Sequence, residues 1–209
     1  MKGAHFAAIV AITAATWATV TYFSGLPSTW ERALKPFLTA ITTSGLAYWI
    51  FEKYAWRWPL FRGWFVERPD LRGVWEVSIV SNWTNEAGER VAPITAYMMI
   101  RQTFSSLTFR QFSRESSSVS IAHAMKLLEG DLFEMIVTYR NIPQIELQAT
   151  RSRIHHGAFL ISGQGYFPTE LTGHYWTDRQ TSGSLKLSNR RIGEINSYDE
   201  GSALFEKSQ

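Results

Sequence analysis

The sequence predicts two N-terminal transmembrane α-helices followed by an all-β domain, a small eight-stranded antiparallel β-barrel. The helices are predicted because residues 3–30 and 36–51 contain no Asp, Glu, Lys or Arg. A helix needs about 20 apolar residues to cross a hydrocarbon core of roughly 30 Å. The barrel is predicted because apolar residues recur from Leu71 onward with a period close to two, which is typical of strands.

The first membrane helix is expected at about residues 6–23 and the second at about residues 37–54. The second helix reaches the required length if Glu52 and Lys53 extend toward the lipid headgroups. A cleaved signal peptide over residues 1–20 is the alternative interpretation of the first segment.

Small residues recur at a spacing of four in both predicted helices, which lets helix backbones approach each other closely in lipid. Two interpretations stay open at this point. Either the hairpin packs its own two helices together, or several hairpins associate. The small-residue pairs are Ala11/Ala15, Ala14/Ala18 and Ala40/Ser44.

The charge of the chain is unevenly placed, with a net +4 on residues 1–62 and a net −1 on residues 63–209. The basic pI therefore belongs to the membrane flanks and does not indicate a nucleic-acid groove on the folded domain. The chain has no cysteine, which excludes disulfides, Cys-based metal sites and a Cys nucleophile, and favours a reducing compartment.

The distribution of Lys and Arg predicts a cytoplasmic β-domain and a short loop on the opposite side of the membrane. Five basic residues follow the second predicted helix, whereas the loop at residues 24–35 holds two, and the more basic side stays in the cytoplasm. Three tryptophans are expected in an interfacial aromatic belt. The five basic residues are Lys53, Arg57, Arg62, Arg68 and Arg72, the loop pair is Arg32 and Lys35, and the tryptophans are Trp56, Trp58 and Trp64.

The predicted organisation has four parts: a transmembrane hairpin at residues 1–58, a juxtamembrane linker at 59–70, a ligand-binding barrel at 71–190 and a polar tail at 191–209. Residues 198–207 of the tail are expected to form one short helix. Turns are expected at Asn85–Gly88, Glu129–Asp131 and Gly163–Gly165. The eight strands are predicted at about 71–81, 94–103, 106–113, 118–126, 132–141, 157–163, 171–178 and 183–189.

Alternation assigns an inward face to the last two strands but fails for the second strand. Met98, Met99 and Ile100 are consecutive apolar residues, so neither face of that strand can be assigned. Gly73-Val74-Trp75 resembles the Gly-x-Trp start of lipocalin-like barrels, in which the Trp closes one end. The inward residues are Leu171, Gly173, Tyr175 and Thr177 of the seventh strand, and Thr181, Gly183, Leu185 and Leu187 of the eighth.

Two segments place aromatic, amide, hydroxyl and guanidinium groups at strand ends: Tyr139–Pro143 and Tyr175–Gly183. Aromatic rings stack on bases, amides hydrogen-bond base edges, and Arg holds phosphate through two parallel bonds. The mouth of a barrel that binds a nucleotide would use these residue types. A purely structural interpretation also stays open, because Tyr and Thr favour strands, and Asp178 with Arg179 can close a hairpin turn.

An enzymatic function is not expected. The sequence contains no HExxH, GxSxG, GxGxxG or Walker motif. His155 and His156 are adjacent, so on a strand they point to opposite faces and cannot chelate one metal ion together. No metal or other cofactor is expected.

The arrangement as a whole resembles the SMODS-associated two-TM, β-strand-rich effectors of bacterial cyclic-oligonucleotide anti-phage signalling (CBASS). Two helices precede the strand pattern, and several short segments carry the likeness in order. These segments are Leu71–Trp75, Arg101 and Gln102 within Ile100–Thr103, Ser116–Ser120, Tyr139–Pro143, His156-Gly157 and Leu171–Leu187.

The resemblance implies a cytoplasmic β-barrel that senses a cyclic di- or oligonucleotide made by a partner nucleotidyltransferase. Binding would drive the transmembrane helices to oligomerise and disrupt the inner membrane, which kills the infected cell. The expected partners are therefore this nucleotide, the lipid bilayer and further copies of the chain, with no DNA or RNA polymer.

The expected ligand contacts combine stacking by tyrosines, phosphate binding by arginines and base-edge contacts by Asn141 and Gln102. The second interpretation is a membrane-anchored lipocalin-like carrier of an apolar ligand, with Trp75, Val77, Met135 and Val137 lining its interior. An enzyme acting on a lipid or peptide ranks last. The predicted site residues are Arg101, Gln102, Tyr139, Arg140, Asn141, Tyr175, Thr177, Arg179 and Thr181.

Overall fold

A computed structural model describes residues 3–25, 29–84, 88, 90–148 and 153–206, and the turn predicted at Asn85–Ala87 lies outside them. The chain forms two compact units. The first unit comprises Met1–Glu67 and Thr103–Ser105, and the second comprises Arg68–Gln102 and Ser106–Gln209.

The first unit contains two helices, α1 (Gly3–Ser24) and α2 (Trp30–Lys53), which pack against each other. Ala40 is buried at this contact. The Thr13 Oγ1 and Ser44 Oγ atoms are 2.8 Å apart and form a hydrogen bond between the two helices. The hairpin therefore uses the Ala40/Ser44 pair to join its own helices. The alanine pairs of α1 are exposed.

Among the described residues, only Ala7–Ser24 is long and apolar enough to be a candidate membrane span. Of the two predicted spans, the first is therefore a candidate by length and composition, and the second is not a clear span. The second helix forms, but it begins at Trp30, well before the expected start near residue 37, and its composition is less apolar. Pro36, several hydroxyl residues and the terminal Glu52 and Lys53 lower its hydropathy below that of a clear span.

Glu52, at the end of α2, was expected to extend toward the lipid headgroups, but its carboxylate is hydrogen-bonded within the first unit. The Glu52 carboxylate accepts hydrogen bonds from the Ser105 amide at 3.0 Å and the Ser105 hydroxyl at 2.6 Å. The Thr103 hydroxyl donates to the same Glu52 oxygen. Trp56 is fully buried, which corrects its assignment to the interfacial aromatic belt, whereas Trp58 and Trp64 are exposed.

The second unit is the predicted barrel, which confirms the eight-stranded antiparallel fold. Each strand pairs with the next in sequence, and β8 pairs with β1 to close the barrel. Positive φ angles at Gly130 and Asp131 confirm the predicted turn between β4 and β5. The strands are β1 (Gly73–Ser81), β2 (Ile94–Gln102), β3 (Leu107–Phe112), β4 (Ser116–Leu127), β5 (Leu132–Pro143), β6 (His155–Gln164), β7 (Leu171–Thr177) and β8 (Ser182–Arg191), with a short helix α3 (Ile145–Gln148) between β5 and β6.

One end of the barrel interior is filled by large apolar side chains. Trp75 is fully buried there, and its indole nitrogen donates a 2.9 Å hydrogen bond to the Leu71 carbonyl oxygen. The Arg190 guanidinium lies 5.6 Å from the centre of the Trp75 ring. Trp75 therefore occupies the position that its Gly-x-Trp context predicts. Phe133, Met135 and Leu187 complete the packing.

A buried carboxylate is paired with two arginines beside this closed end. Asp70 is 1% exposed, and the Arg72 Nε donates to it at 2.9 Å. The terminal nitrogens of Arg190 donate to Asp70 Oδ1 at 3.2 Å and to the Asp70 carbonyl at 2.7 Å. Burial alone raises the pKa of Asp70, but the hydrogen bonds and charges of the two arginines lower it below its ordinary value.

A C-terminal helix, α4 (Tyr198–Glu206), covers the outer face of β2 and confirms the helix predicted in the tail. Met98 and Ile100 point into the barrel, whereas Met99 points outward into a second cluster with Tyr97 and Phe205. Both faces of β2 are thus buried. This explains why the apolar pattern of that strand does not alternate.

The Asp70 cluster predicts a pH-dependent loss of stability. Asp70→Asn should lower the free energy of unfolding by about 3 kcal/mol near neutral pH, because it leaves buried guanidinium charge without its partner. Since the folded pKa is lowered, this stabilisation is complete above the unfolded carboxyl pKa of ~3.9 and is lost as pH falls through the folded pKa. Urea unfolding of the detergent-solubilised chain, followed by Trp fluorescence between pH 7 and pH 3, measures both effects.

Glu170→Gln is the matched control for this prediction, because the Lys186–Glu170 ion pair is about half exposed. Exposed pairs contribute about 1 kcal/mol or less, so this variant should unfold close to the wild-type chain. Equal stability losses in the two variants would contradict the role given to Asp70.

Candidate functional site

The barrel holds a cavity of about 610 Å³ at the end opposite Trp75. Its floor is apolar, and polar side chains line the walls and the rim. A cavity of this size and mixture suits a small organic ligand that is held by shape and oriented by a few polar groups. The floor residues are Ile79, Met98, Phe109, Phe159 and Leu185.

Five of the nine predicted site residues line this cavity: Tyr139, Asn141, Tyr175, Thr177 and Thr181. They come from β5, β7 and the turn before β8, which the barrel brings together at one end. Tyr139 and Asn141 alternate inward along β5 with the buried Val137.

Each of the two cavity tyrosines is paired across the sheet with a glycine, Tyr139 with Gly157 and Tyr175 with Gly183. A Cβ atom at Gly157 would lie 2.6 Å from the Tyr139 hydroxyl oxygen. A Cβ atom at Gly183 would lie 2.7 Å from the Tyr175 ring. The missing side chains therefore let both rings lie close to the neighbouring backbone, which leaves the centre of the cavity open.

The Tyr139 hydroxyl makes no hydrogen bond within the described part of the chain. The Tyr139 ring lies 5.9 Å from the Phe159 ring at the cavity floor. Burial, followed by the influence of Tyr175 and Asp178, raises the pKa of Tyr139 to about 12. The phenol is therefore a neutral hydrogen-bond donor in the cavity at physiological pH.

Asn141 is oriented by two serines of the neighbouring strand β4. Its side-chain nitrogen donates to Ser116 Oγ at 3.0 Å and to Ser118 Oγ at 2.9 Å. Both donor positions of the amide are thus used within the wall. The carbonyl oxygen Oδ1 is left as an acceptor for a group inside the cavity, because no residue in the described chain donates to it.

The hydroxyl groups of Thr177 and Thr181, at the β7–β8 turn, form a hydrogen bond with each other. Their hydroxyl oxygens are 2.7 Å apart, so each can satisfy the other. The backbone amide of Arg179 donates to Thr177 Oγ1 at 3.2 Å. These hydrogen bonds fix the hairpin turn that carries Asp178 and Arg179. A turn at these two residues is what the structural alternative in the sequence analysis expected.

Four predicted site residues do not line the cavity. Gln102 lies at the closed end, where its amide accepts from the Leu71 nitrogen and donates to the Pro69 oxygen, each at 2.9 Å. Arg101 forms an exposed 2.8 Å ion pair with Glu194. Arg140 is exposed on the outer face between two inward residues, and Arg179 is exposed in the β7–β8 turn.

Sequence reasoning missed the polar wall formed by β3, β4 and the turn between them. Ser116–Ser120 formed part of the family resemblance, but no single serine was assigned to the site. Inward alternation along β4 could have selected them once the strand register was known. The lining residues that were missed include Gln111, Arg114, Ser116, Ser118 and Ser120, together with Tyr198 of α4.

The described residues contain no group of three or more His, Asp or Glu side chains that could hold a metal ion. His155 lines the cavity, and its Nδ1 lies 3.0 Å from the Arg153 carbonyl oxygen. The backbone amide of the next residue, His156, donates a 3.0 Å hydrogen bond to the Asp178 carboxylate.

The raised pKa of Tyr139 predicts a distinct step in an alkaline titration. Absorbance at 295 nm should show that Tyr139→Phe removes one ionisation with a midpoint near pH 12 from the native chain. In the denatured chain the removed step should fall near the ordinary value of ~10. Because the folded pKa is raised, stability linked to Tyr139 is complete below pH ~10 and is lost as pH rises to the folded value. A native step near pH 10 would contradict the buried placement of this hydroxyl.

Comparisons with known proteins place this barrel in a family. Residues 66–189 match the family described as Cap15, cyclic dinucleotide receptor domain. The chain is 31% identical over 138 residues to CD-NTase-associated protein 15 of Staphylococcus schleiferi, which covers 66% of this chain and 69% of that protein. These matches confirm the resemblance drawn from the sequence, and the chain belongs to the Cap15 family of cyclic dinucleotide receptor domains.

Proposed function

We propose that this chain is a membrane-anchored CBASS effector whose barrel binds a cyclic dinucleotide in the 610 Å³ cavity. It acts as a sensor rather than as an enzyme, and a partner nucleotidyltransferase makes its ligand. The observation that carries the proposal is the combination of two tyrosine rings with an open amide acceptor inside one cavity. Membership of the Cap15 family supports it.

Each cavity group has a role in this proposal that follows from its surroundings. Tyr139 and Tyr175 offer ring faces for stacking on bases, which contributes about 1–3 kcal/mol per base. The Asn141 Oδ1 accepts a hydrogen bond from a base amino or imino group. Thr177 and Thr181 hold the β7–β8 rim in place through their mutual hydrogen bond.

The lipocalin-like alternative is less well supported by the interior of the barrel. Trp75, Val77, Met135 and Val137 were expected to line a roomy apolar chamber, but they are all at most 1% exposed in the packed core. None of them lines the cavity. The remaining space has an apolar floor, but hydroxyl, amide and phenol groups stand in its walls and rim, which favours a ligand with both ring faces and polar groups.

Several features of the first unit support attachment to the inner membrane. Ala7–Ser24 is a candidate span, and large apolar side chains on both helices are exposed, as lipid-facing residues are. Beyond α2, Trp58, Leu60 and Trp64 are exposed near the basic Arg57, which suits a membrane interface. We place α2 in the membrane with α1, and the barrel in the cytoplasm on the basic side.

The helices are proposed to assemble and disrupt the membrane when the ligand binds. The alanines of α1 support this step, because they are exposed while Ala40 and Ser44 already serve the contact between α1 and α2. Small residues on a lipid-exposed helix face allow a second hairpin to approach closely. The expected product is a homo-oligomer in the bilayer.

The binding proposal predicts a thermal shift for the full chain in detergent. At a ligand concentration a hundredfold above Kd, a cyclic dinucleotide should raise Tm by about 5–11 °C. A panel of cyclic di- and trinucleotides identifies the ligand. Tyr139→Ala or Tyr175→Ala should weaken Kd by about 5- to 150-fold through lost stacking, and Asn141→Ala by up to about tenfold.

Arg110→Gln is the matched control for these variants, because Arg110 lies on β3 beside the outward Phe112 and does not line the cavity. Its affinity should equal that of the wild-type chain. The receptor proposal would be rejected if no cyclic nucleotide shifted Tm while a fatty acid did, and the carrier interpretation would replace it.

The assembly proposal predicts that enlarging the exposed alanine face weakens oligomerisation. Ala14→Leu and Ala18→Leu should reduce ligand-induced cross-linking and dye release from proteoliposomes, since larger side chains keep hairpins apart. Val10→Leu is the control, because Val10 is exposed on the same helix but changes little in volume. Unchanged dye release in the two alanine variants would show that this face does not mediate assembly.

A further inference from the structure

The C-terminal helix α4 lies beyond the residues that match the receptor family, yet it packs closely on the barrel. A Cβ atom at Gly201 would lie 2.4 Å from the Tyr97 ring, so only glycine allows this approach. The Phe205 ring stacks on Tyr97 at 5.3 Å, and the Arg191 guanidinium lies 5.1 Å from the Phe205 ring. These contacts fix the position of the first helical residue, Tyr198.

Tyr198 reaches the cavity and holds an arginine there. Both Tyr198 and Arg114, which lies in the β3–β4 turn, line the rim. The Arg114 Nε donates a 3.3 Å hydrogen bond to the Tyr198 hydroxyl oxygen, and the guanidinium carbon lies 5.5 Å from the ring centre. In the described chain no residue pairs with the two terminal nitrogens of Arg114, which are the atoms of the guanidinium fork.

Arg114 is the only Arg or Lys among the described residues that line the cavity. A cyclic dinucleotide carries two phosphate charges, whereas the wall around the tyrosines is neutral. Glu115 also lines the rim, and Asp199 follows Tyr198, so the charge of Arg114 is partly balanced before the ligand arrives. A free inorganic phosphate therefore gains little at this rim without the contacts of the bases.

We propose that Arg114 binds a ligand phosphate at the cavity rim and that Tyr198 positions its guanidinium, which makes the C-terminal helix part of the ligand site. This inference rests on the proposed cyclic dinucleotide function. The Tyr198 hydroxyl uses Nε. Both terminal nitrogens are therefore left to form two parallel bonds to one phosphate.

A reciprocal effect follows from this arrangement. If docking of α4 orients the arginine that binds the ligand, the bound ligand must stabilise the docked helix by the same factor. Amide hydrogens in residues 198–206 should then exchange more slowly in the presence of the ligand. A helix that only covers the apolar face of β2 would show no such change.

The test measures Kd for the cyclic dinucleotide that shifts Tm, with the full chain in detergent. Arg114→Gln should weaken binding by about 10- to 100-fold, because it removes hydrogen bonds to a charged group. It should also make Kd less dependent on salt concentration. Arg114→Lys keeps the positive charge but lacks the guanidinium fork. Its Kd should therefore lie between those of Arg114→Gln and the wild type.

Tyr198→Phe keeps the ring and the packing of α4 but loses the hydroxyl, and it should weaken binding about two- to fivefold. Combined with Arg114→Gln it should add nothing further, since Tyr198 acts through Arg114. Arg110→Gln is the control for charge, and the Tm of each unliganded variant reports any loss of folding.

The outcomes separate this inference from the function on which it rests. If the wild-type chain binds a cyclic dinucleotide and Arg114→Gln binds it as tightly as Arg110→Gln does, the inference is wrong and the receptor stands. Additive losses in the double variant would assign Tyr198 a separate role and overturn its positioning of Arg114. If no cyclic nucleotide binds the wild-type chain, both proposals fail.

Discussion

The width of an eight-stranded barrel limits what its interior can contain, and the rest of this domain follows from that limit. Such a barrel is either filled by its own side chains or holds one small ligand. Here the two cases occupy opposite ends. Trp75, Phe133 and Met135 fill one end, whereas serines, threonines and tyrosines line the walls of the other end and leave a cavity of about 610 Å³. The buried Asp70, held by two arginines, fixes the chain beside the filled end.

Alternation was enough to predict strands whose outer face meets solvent, because their apolar residues mark a single side. Tyr175 and Leu185 were placed inward in this way, and both line the cavity. The pattern failed for β2 because α4 buries the outer face of that strand. The outward Met99 is therefore packed among apolar side chains, as the inward Met98 is. The second predicted membrane helix shows a different problem. A helix forms there, but it begins at Trp30 because the charged residues expected in the loop are helical, and its hydroxyl-rich composition does not make a clear span.

The site was predicted in part, and the reason lies in strand register. Residue types at the ends of β5 and β7 indicated Tyr139, Asn141 and Tyr175, which alternation then directs inward. The choice among arginines needed knowledge of which strand ends meet. Arg140 follows Tyr139 and so points outward, and Arg101 lies at the opposite end of the barrel, whereas Arg114 reaches the rim from a turn that no periodic pattern describes.

A rigid receptor can influence membrane helices only through a difference in affinity between the dispersed and assembled states. Occupancy at a hundredfold excess over Kd supplies about 2.7 kcal/mol, which alone is too little to assemble chains from dilute solution. Tethering the barrels to one bilayer raises their effective concentration and lowers the required shift. In the proposed assembly, the exposed alanines of α1 would supply the contact between hairpins. In the proposed receptor, ligand energy therefore has to act through elements at the rim. The helix α4 places Tyr198 in the lining of the cavity and is held by side-chain packing, whereas each wall strand is hydrogen-bonded to both of its neighbours.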